Sequence, residues 1–535
     1  MPILGSMQAT PLRLNMLIDY AAREHGRREI VTRWADGILE RSNWAEIAAQ
    51  SRRLAHWLTG LGMEKGDRIA TLAMNHGLHL ASWFGTAGMG GILHTVNPRL
   101  FDEQLVYIVN HAADRVLMFD RQYLDLVERL KPQWPTIEHF VLFDGQPGDP
   151  YPSLRDVLAG MDENFPWVDG DENDPCGLCY TSGTTGNPKG VIYEHRSNIL
   201  HALCAAQPDV FDMKNRSVVM PIVPMFHANA WGLPFVAAAV GSKLVLCANN
   251  DPDVLWDLAR SEQVTHSAGV PTVWLAMFSH LDAQGGGHGA FEQIIIGGSA
   301  APRAMLDRFL SAGIRVGHAW GMTETSPIGT TGSLLPDWAE RDKEARLDYL
   351  QQQGRVPLLV ELRLVDGEGK ELPRDGETSG NLQVRGPWVL RRYFGADDDA
   401  ATADGWFDTG DVAAIAPDGT MRITDRSKDV IKSGGEWISS IELENCIMGL
   451  DGVAEAAAVG VHHPKWDERP ILLIVKKPGA QIGEADVIAY LADKVAKWWL
   501  PDEVLFVDDL PHTATGKLSK LELRKQYRDY RLKAL

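Results

Sequence analysis

Among the 535 residues there are only five cysteines, and basic residues are outnumbered by acidic ones, 52 to 71. Few thiols suit a reducing compartment, and a cytoplasmic location is expected. Cys176 and Cys179 have the spacing of a redox pair, but positions i and i+3 on a strand face opposite sides, which argues against a disulfide or a metal there. The net charge of −19 argues against non-specific nucleic-acid binding and for solubility. It does not exclude anionic substrates, which local lysines and arginines can hold. No apolar run reaches the roughly 18–20 residues that a membrane helix needs. The nearest, Trp231 to Val240, is short and contains Pro234. The start, Met1-Pro2-Ile3-Leu4-Gly5-Ser6, lacks a basic region before an apolar core, so no secretory leader is expected. Neither a fixed-period repeat nor a low-complexity tract is visible.

What is present is an ordinary globular composition, 45% hydrophobic and 23% charged. The length calls for two or more domains. A helix is expected over 11–30, with Leu12, Leu14, Leu17 and Ile18 inward, and another over 44–62. Short apolar strands then alternate with helical stretches, as at Arg68–Leu72, Val116–Phe119, His139–Leu142, Lys243–Leu246 and Gln293–Ile296. This alternation predicts an α/β fold with mainly parallel sheets. From about residue 355 the turn pairs Asp366-Gly367, Asp375-Gly376, Asp404-Gly405 and Asp418-Gly419 mark a β-rich subdomain. The expected division is a large domain over 1–427, with the β-rich part at about 355–427, and a small mobile α+β domain over 428–535.

The run Tyr180-Thr181-Ser182-Gly183-Thr184-Thr185-Gly186-Asn187-Pro188-Lys189-Gly190 carries the strongest chemical signal. Glycines let backbone N–H groups approach a polyphosphate, hydroxyls add donors, and the lysine adds charge. The flanking stretches Gly177–Tyr180 and Gly190–Tyr193 read as strands. The common phosphate loop ends in Gly-Lys-Ser/Thr and opens a helix; here the lysine sits between Pro188 and Gly190. A second signal is Gly317-His318-Ala319-Trp320-Gly321-Met322-Thr323-Glu324-Thr325. A glycine after an aromatic can leave a ring face open to a flat ligand, and Glu324 can supply a hard oxygen to magnesium. Taken alone, it could equally be a polar loop after a strand. Further signals are Ile296-Gly297-Gly298-Ser299-Ala300, Gly405–Asp411, Asp425–Asp429 with Ile431–Ser439, and Pro511–Lys517.

In this order, these stretches resemble the signatures of the AMP-forming adenylate enzymes: acyl-CoA synthetases, peptide-synthetase adenylation domains and firefly luciferase. The resemblance spans 177–517 and most of the chain. It implies ATP and coenzyme A as substrates with magnesium as cofactor. Thr181, Ser182, Gly183, Thr184, Thr185, Gly186 and Lys189 would bind phosphates, and Thr181 and Glu324 the metal. Gly298, Ser299, Ala300, His318, Ala319, Trp320 and Gly321 would border adenine, with Thr323 touching phosphate. Asp411 and Arg426 would take the ribose hydroxyls, Asp408 being structural. Lys428 would be the hinge. Lys432 and Gly434, Gly435, Glu436 and Trp437 would serve the thioester-forming step. Lys517 would be the catalytic lysine of adenylation.

Met225-Phe226-His227-Ala228-Asn229-Ala230-Trp231-Gly232 is similar to the fatty-acid-activating branch. There His227 would border the acyl-adenylate, Trp231 would gate the acyl tunnel, and Gly298, Trp320 and Pro327 would complete the acyl wall. Gly434–Ser439 and Lys465-Trp466-Asp467-Glu468-Arg469-Pro470 point the same way. The branch includes medium- and long-chain fatty-acid ligases and 3-methylmercaptopropionate ligases. The implied activity is ATP-dependent conversion of a carboxylic acid to its CoA thioester through an acyl-adenylate, and family habit points to a homodimer. Rival readings are a luciferase-like oxygenase, a carrier-protein ligase and a non-catalytic binding protein. A phosphoryl-transferring ATPase has the wrong loop ending.

Overall fold

The computed structural model describes residues 5–181, 187–434, 436–512 and 518–533, with Glu436 by its main chain alone. The first helix is Asn15–His25 rather than the whole of 11–30. Ile30, at the end of that range, lies fully buried with Val31 in a strand, Glu29–Arg33. The second helix is Trp44–Gly60, its first turn capped by the Asn43 side chain, which accepts from the Glu46 N–H.

Two large sheets build the body of the molecule. One has six strands in the order His139–Leu142, Val116–Phe119, Arg68–Leu72, Ile92–Thr95, Pro175–Tyr180 and Gly190–Glu194. Its neighbours run parallel except the last pair. The other has eight strands: Ile328–Thr331, Arg315–Gly321, Gln293–Ile296, His266–Gly269, Val218–Pro221, Lys243–Cys247, Glu29–Arg33 and Leu39–Asn43. Only its two edge pairings are antiparallel. Fully buried strands such as Gln293–Ile296 are near-continuously apolar, as parallel strands covered on both faces must be. A core of aromatic and aliphatic side chains, with Trp44, Phe84 and Phe143 fully buried, fills the space between the sheets and their helices.

The turn-rich stretch forms a four-stranded antiparallel sheet of Glu361–Val365, Gly380–Arg385, Phe407–Ile415 and Met421–Arg426. A fourth sheet follows, of Glu436–Ile438, Ile431–Ser433, Asp467–Lys476 and Val453–His463, with Glu503–Phe506 alongside Asp467–Lys476. The helix Ser440–Ile447 ties this last sheet to the strand before it: the buried Asp425 carboxylate accepts from the Ser440 N–H at 2.6 Å and its hydroxyl at 2.7 Å. Lys520 joins the same cluster through Ser440 and Glu444, and Arg524 pairs with Asp429. Among the described residues no helix is long and apolar enough to cross a membrane.

A cavity of about 360 Å³ lies among the helices Pro252–Ser261, Pro271–Ala283 and Arg303–Ser311, walled by Trp256, Phe278, Phe291 and Phe309. Phe291 precedes the strand Gln293–Ile296, so the cavity opens at the amino ends of the parallel strands. The sequence-predicted site residues follow the carboxyl ends, where open α/β sheets bind ligands.

Candidate active site

The phosphate-loop segment leaves the strand Pro175–Tyr180 and returns through Gly190–Glu194, its antiparallel partner. Its two ends are fastened together: Thr181 N–H donates to the Lys189 carbonyl at 2.9 Å, and Lys189 N–H to the Thr181 hydroxyl at 3.2 Å. Ser182, Gly183, Thr184, Thr185 and Gly186 lie outside the described residues, as do Gly435 and Lys517. Beneath the loop, the Tyr180 hydroxyl meets His111 Nδ1 at 2.7 Å.

The returning strand also reaches the second signature. Tyr193 is buried and its hydroxyl donates to the Thr323 carbonyl at 2.9 Å. The short turn Thr323–Thr325 follows the strand Arg315–Gly321. Glu324 is 7% exposed, and burial raises its carboxyl above the usual range, opposed by the Tyr393 hydroxyl and the charges of Lys189 and Arg426. Tyr393 donates to its Oε1 at 2.8 Å, and the Leu390 N–H to its main-chain carbonyl at 2.7 Å. The Lys189 ammonium sits 4.7 Å from the centre of the Tyr393 ring.

Trp320 and Asp411 are brought together from two sheets. The indole N–H donates to Asp411 Oδ2 at 2.8 Å, and Arg426 Nε lies 3.5 Å from Oδ1. Gly321 does not free the indole face. A Cβ there would stand 1.8 Å from the Pro327 carbonyl, so this glycine admits a main-chain crossing. The residue that makes room for the ring is Gly329, whose Cβ would stand 2.2 Å from Trp320 Cζ3. Asp408 lies in the strand Phe407–Ile415 opposite Gln383 and accepts from the Gly410 N–H.

Gly298 and Ser299 are exposed after the strand Gln293–Ile296, with Ala300 half-buried. The His318 side chain does not face them as a free ligand group. It is buried, its Nδ1 meets the Gln351 carbonyl at 2.9 Å, and Ser299 main chain also contacts it. Burial keeps the ring neutral by lowering its pKa. His318 thus anchors the Gly298–Ala300 turn, and what it can offer a nucleotide is its main chain. Ala319 is half-buried beside it.

On the presumed acyl side, His227 precedes a turn in which Ala228, Asn229, Ala230, Trp231 and Gly232 all have positive φ, from 42° to 77°. This left-handed turn buries Trp231 to 8% exposure. Trp231 Cη2 would lie 3.1 Å from a Cβ on Gly297. Met225, Ala228, Ala230 and Leu233 in the same core cluster are buried and apolar, while Phe226 packs apart from it with Met74 and Ala248. His201 closes the back: its Nε2 accepts weakly from the Ile328 N–H at 3.4 Å, and its ring would crowd a Cβ on Gly232. Pro327 is buried in the adjoining turn, its carbonyl accepting from the Met322 N–H and the Thr325 hydroxyl.

Lys428 is exposed in the turn after Met421–Arg426. Lys432, Gly434 and Trp437 lie on the last sheet. Their described contacts are within it: Lys432 N–H to Glu468, and Gly434 N–H to the Trp466 carbonyl at 2.7 Å. The structure therefore gathers Thr181, Lys189, Thr323 and Glu324 around Tyr193 and Tyr393, and pairs Trp320 with Asp411. Tyr193, Tyr393 and Gly329 were not read from the sequence. Tyr393 sits behind Arg391 and Arg392, which read as a solvated charge run.

Oxygen donors, a buried carboxylate among them, are the set that a hard divalent cation prefers. A lysine and a Gly/Thr-rich loop beside them suit phosphates. The comparisons agree with this geometry. The family model for AMP-binding enzymes matches residues 18–394, and that for the AMP-binding enzyme C-terminal domain matches 442–517. The chain is 47% identical to a 3-methylmercaptopropionyl-CoA ligase of Ruegeria lacuscaerulensis, over 98% of this chain and 99% of that protein. It is 43% identical to a medium-chain-fatty-acid–CoA ligase of Ectopseudomonas oleovorans, over 99% of each. It superposes on ATP-bound MatB from Rhodopseudomonas palustris with a TM-score of 0.81 and 27% identity, covering 97% of this chain and 99% of that one. With both family models spanning its length in order, the chain belongs to the AMP-binding enzyme family and is an AMP-forming acyl-CoA ligase.

Proposed function

We propose that the acid activated is a medium-chain fatty acid. The observation that carries this is the apolar cluster that includes Trp231, in which Met225, Ala228, Ala230 and Leu233 are all buried. Such a cluster suits a flexible hydrocarbon chain and offers nothing to a second charge. Trp231, packed against Gly297, is the gate that limits its length. A second reading, the short thioether acid 3-methylmercaptopropionate, is favoured by the higher identity of the relative named for it, 47% against 43%.

The roles are those that the family resemblance implies, and the placement of the described residues supports them. Lys189, with Ser182–Gly186, holds the phosphates of ATP. Glu324 and Thr181 hold magnesium, which when bound neutralises phosphate charge. Trp320 and the Gly298–Ala300 turn border adenine, and Asp411 with Arg426 takes the ribose: the carboxylate has lone pairs left after the indole bond. His227 and Pro327 flank the acyl carboxylate as it attacks the α-phosphate. Pyrophosphate leaves and an acyl-adenylate forms. Lys517 stabilises the charge of that first transition state. The domain 428–535 then turns about Lys428 against 1–427, presenting Lys432 and Gly434–Trp437 to coenzyme A, whose thiolate displaces AMP. A site with two alternating lids keeps water from the mixed anhydride in one half and opens a thiol path in the other. A cytoplasmic, homodimeric enzyme completes the proposal.

The test is a panel of acids from propionate to palmitate, including methylthiopropionate, with AMP and thioester both measured. A maximum at medium chain length that moves in Trp231→Ala supports the proposal. A maximum at methylthiopropionate selects the second reading. A rank order unchanged in Trp231→Ala returns that residue to the core.

A further inference from the structure

Glu324 is buried and Lys189 is exposed beside it; they carry opposite charges and, among the described residues, are not ion-paired to one another. The buried carboxylate should draw the ammonium inward, because burial strengthens the attraction that water would screen. What stands between them is Tyr393. Its ring receives the Lys189 ammonium, 4.7 Å from the ring centre, while its hydroxyl donates to Glu324 Oε1 at 2.8 Å. The segment bearing Tyr393 is fastened to both partners by main chain. Leu390 N–H donates to the Glu324 carbonyl at 2.7 Å, and Phe394 N–H to the Gly190 carbonyl, next to Lys189, at 2.8 Å. Phe407 packs against the edge of the ring at 6.4 Å between centres.

We infer that Tyr393 is a positioning residue that keeps the phosphate-loop lysine and the buried glutamate apart. The ring is a shelf for the ammonium by cation–π attraction. The hydroxyl is a tether for the carboxylate. ATP and its divalent cation then meet two separately aimed groups instead of a closed ion pair that must first be opened. The inference rests on the roles proposed above for Lys189 and Glu324.

The experiment measures ATP binding by calorimetry, with and without magnesium, so that turnover is not the only readout. Tyr393→Phe keeps the shelf and loses the tether. Its affinity for magnesium-free ATP should stay within twofold of wild type, while the magnesium midpoint rises about five- to tenfold. Tyr393→Ala loses both, and its affinity for magnesium-free ATP should fall about tenfold as Lys189 closes on Glu324. Adding Glu324→Gln removes the collapsing charge, so the double variant should bind magnesium-free ATP as well as Glu324→Gln alone. A merely structural role for the tyrosine would not be rescued in this way. An unchanged magnesium midpoint in Tyr393→Phe overturns the tether. Binding within twofold of wild type in Tyr393→Ala, or a double variant as weak as Tyr393→Ala, overturns the separation. If Tyr393→Ala fails to fold, the Tyr393→Phe arm decides. Lys189→Ala and Glu324→Gln are run alongside. If both bind ATP and magnesium as wild type does, it is the reading of the site that fails.

Discussion

At the scale of single residues, the proposed nucleoside end of the site depends on a glycine that makes room for a ring. Gly329 leaves space for the six-membered edge of the Trp320 indole, whose N–H holds Asp411. Gly329→Ala should push the ring off that carboxylate. Each such bond contributes about 1–3 kcal/mol when one partner is charged, so ATP affinity should drop roughly tenfold; titration of ATP into the variant checks it. A variant binding ATP as tightly as wild type would detach Trp320 from the nucleotide. His201 makes a different prediction. Burial alone lowers its pKa from the usual value to about 3. Above about pH 6.5 folded and unfolded chains both hold it neutral, and stability is full. Between about pH 6.5 and about 3 only the unfolded chain takes up the proton, so stability falls as the pH falls. The loss attributable to one such histidine is up to about 1.4 kcal/mol per pH unit. Denaturant midpoints from pH 7.5 to 5 should therefore slope less steeply in His201→Gln than in wild type; equal slopes would refute this share.

Among elements, the turn Ala228–Gly232 is the most strained described. Four consecutive L-residues hold left-handed φ, where each costs about 1–2 kcal/mol relative to the right-handed form. Ala230, with φ of 49°, is buried and has only a methyl group to lose. Ala230→Gly should stabilise the protein by up to about 1 kcal/mol through relief of that cost, offset in part by a looser unfolded chain; thermal and denaturant unfolding would show it, and a destabilised variant would contradict the strain. No periodicity in Ala-Asn-Ala-Trp-Gly foretells such a turn. Strand and helix patterns were legible where burial is one-sided or complete: Arg68–Leu72, Val116–Phe119 and Gln293–Ile296 are strands at the positions read from their apolar runs. The first helix was read too long at both ends: it runs Asn15–His25, and Glu29 and Ile30, within the range read as helix, begin a strand. Within the site, motif residues such as Trp320, Glu324 and Asp411 were legible as chemistry. Their supports were not. Tyr193, Tyr393 and His201 act through contacts more than a hundred, 69 and more than a hundred residues away in sequence, and only the folded sheets create those contacts.

For the molecule as a whole, the proposed mechanism requires two poses of one chain. The contact that crosses the Lys428 turn, Asp425 with Ser440, joins the last sheet to the one before it. Half-reactions should separate accordingly. Lys517→Ala should lose acyl-adenylate formation by 10²–10³ or more, on the order seen when a transition-state contact is removed, yet still convert supplied acyl-adenylate and coenzyme A to thioester. Lys428→Pro should retain adenylation and lose thioester formation, because its fixed φ obstructs rotation. Equal loss of both steps in Lys517→Ala, with an unchanged melting curve, or full turnover in Lys428→Pro, would refute alternation.

The division of labour between Gly297 and Gly329 has one more consequence. The first receives Trp231 on the acyl side, and the second receives Trp320 on the nucleotide side. Each aromatic is seated in its own socket, one just after Gln293–Ile296 and the other in Ile328–Thr331, with Arg315–Gly321 between those two strands. The proposed acyl socket is built largely from one contiguous stretch, Met225–Leu233, against Gly297, with His201 behind it. Such a stretch can be exchanged as a cassette. Transplanting 225–233 from a relative with another acid preference should transfer the preference while leaving the ATP machinery as it was, which makes this fold a chassis whose substrate range can drift without its energy source being rebuilt.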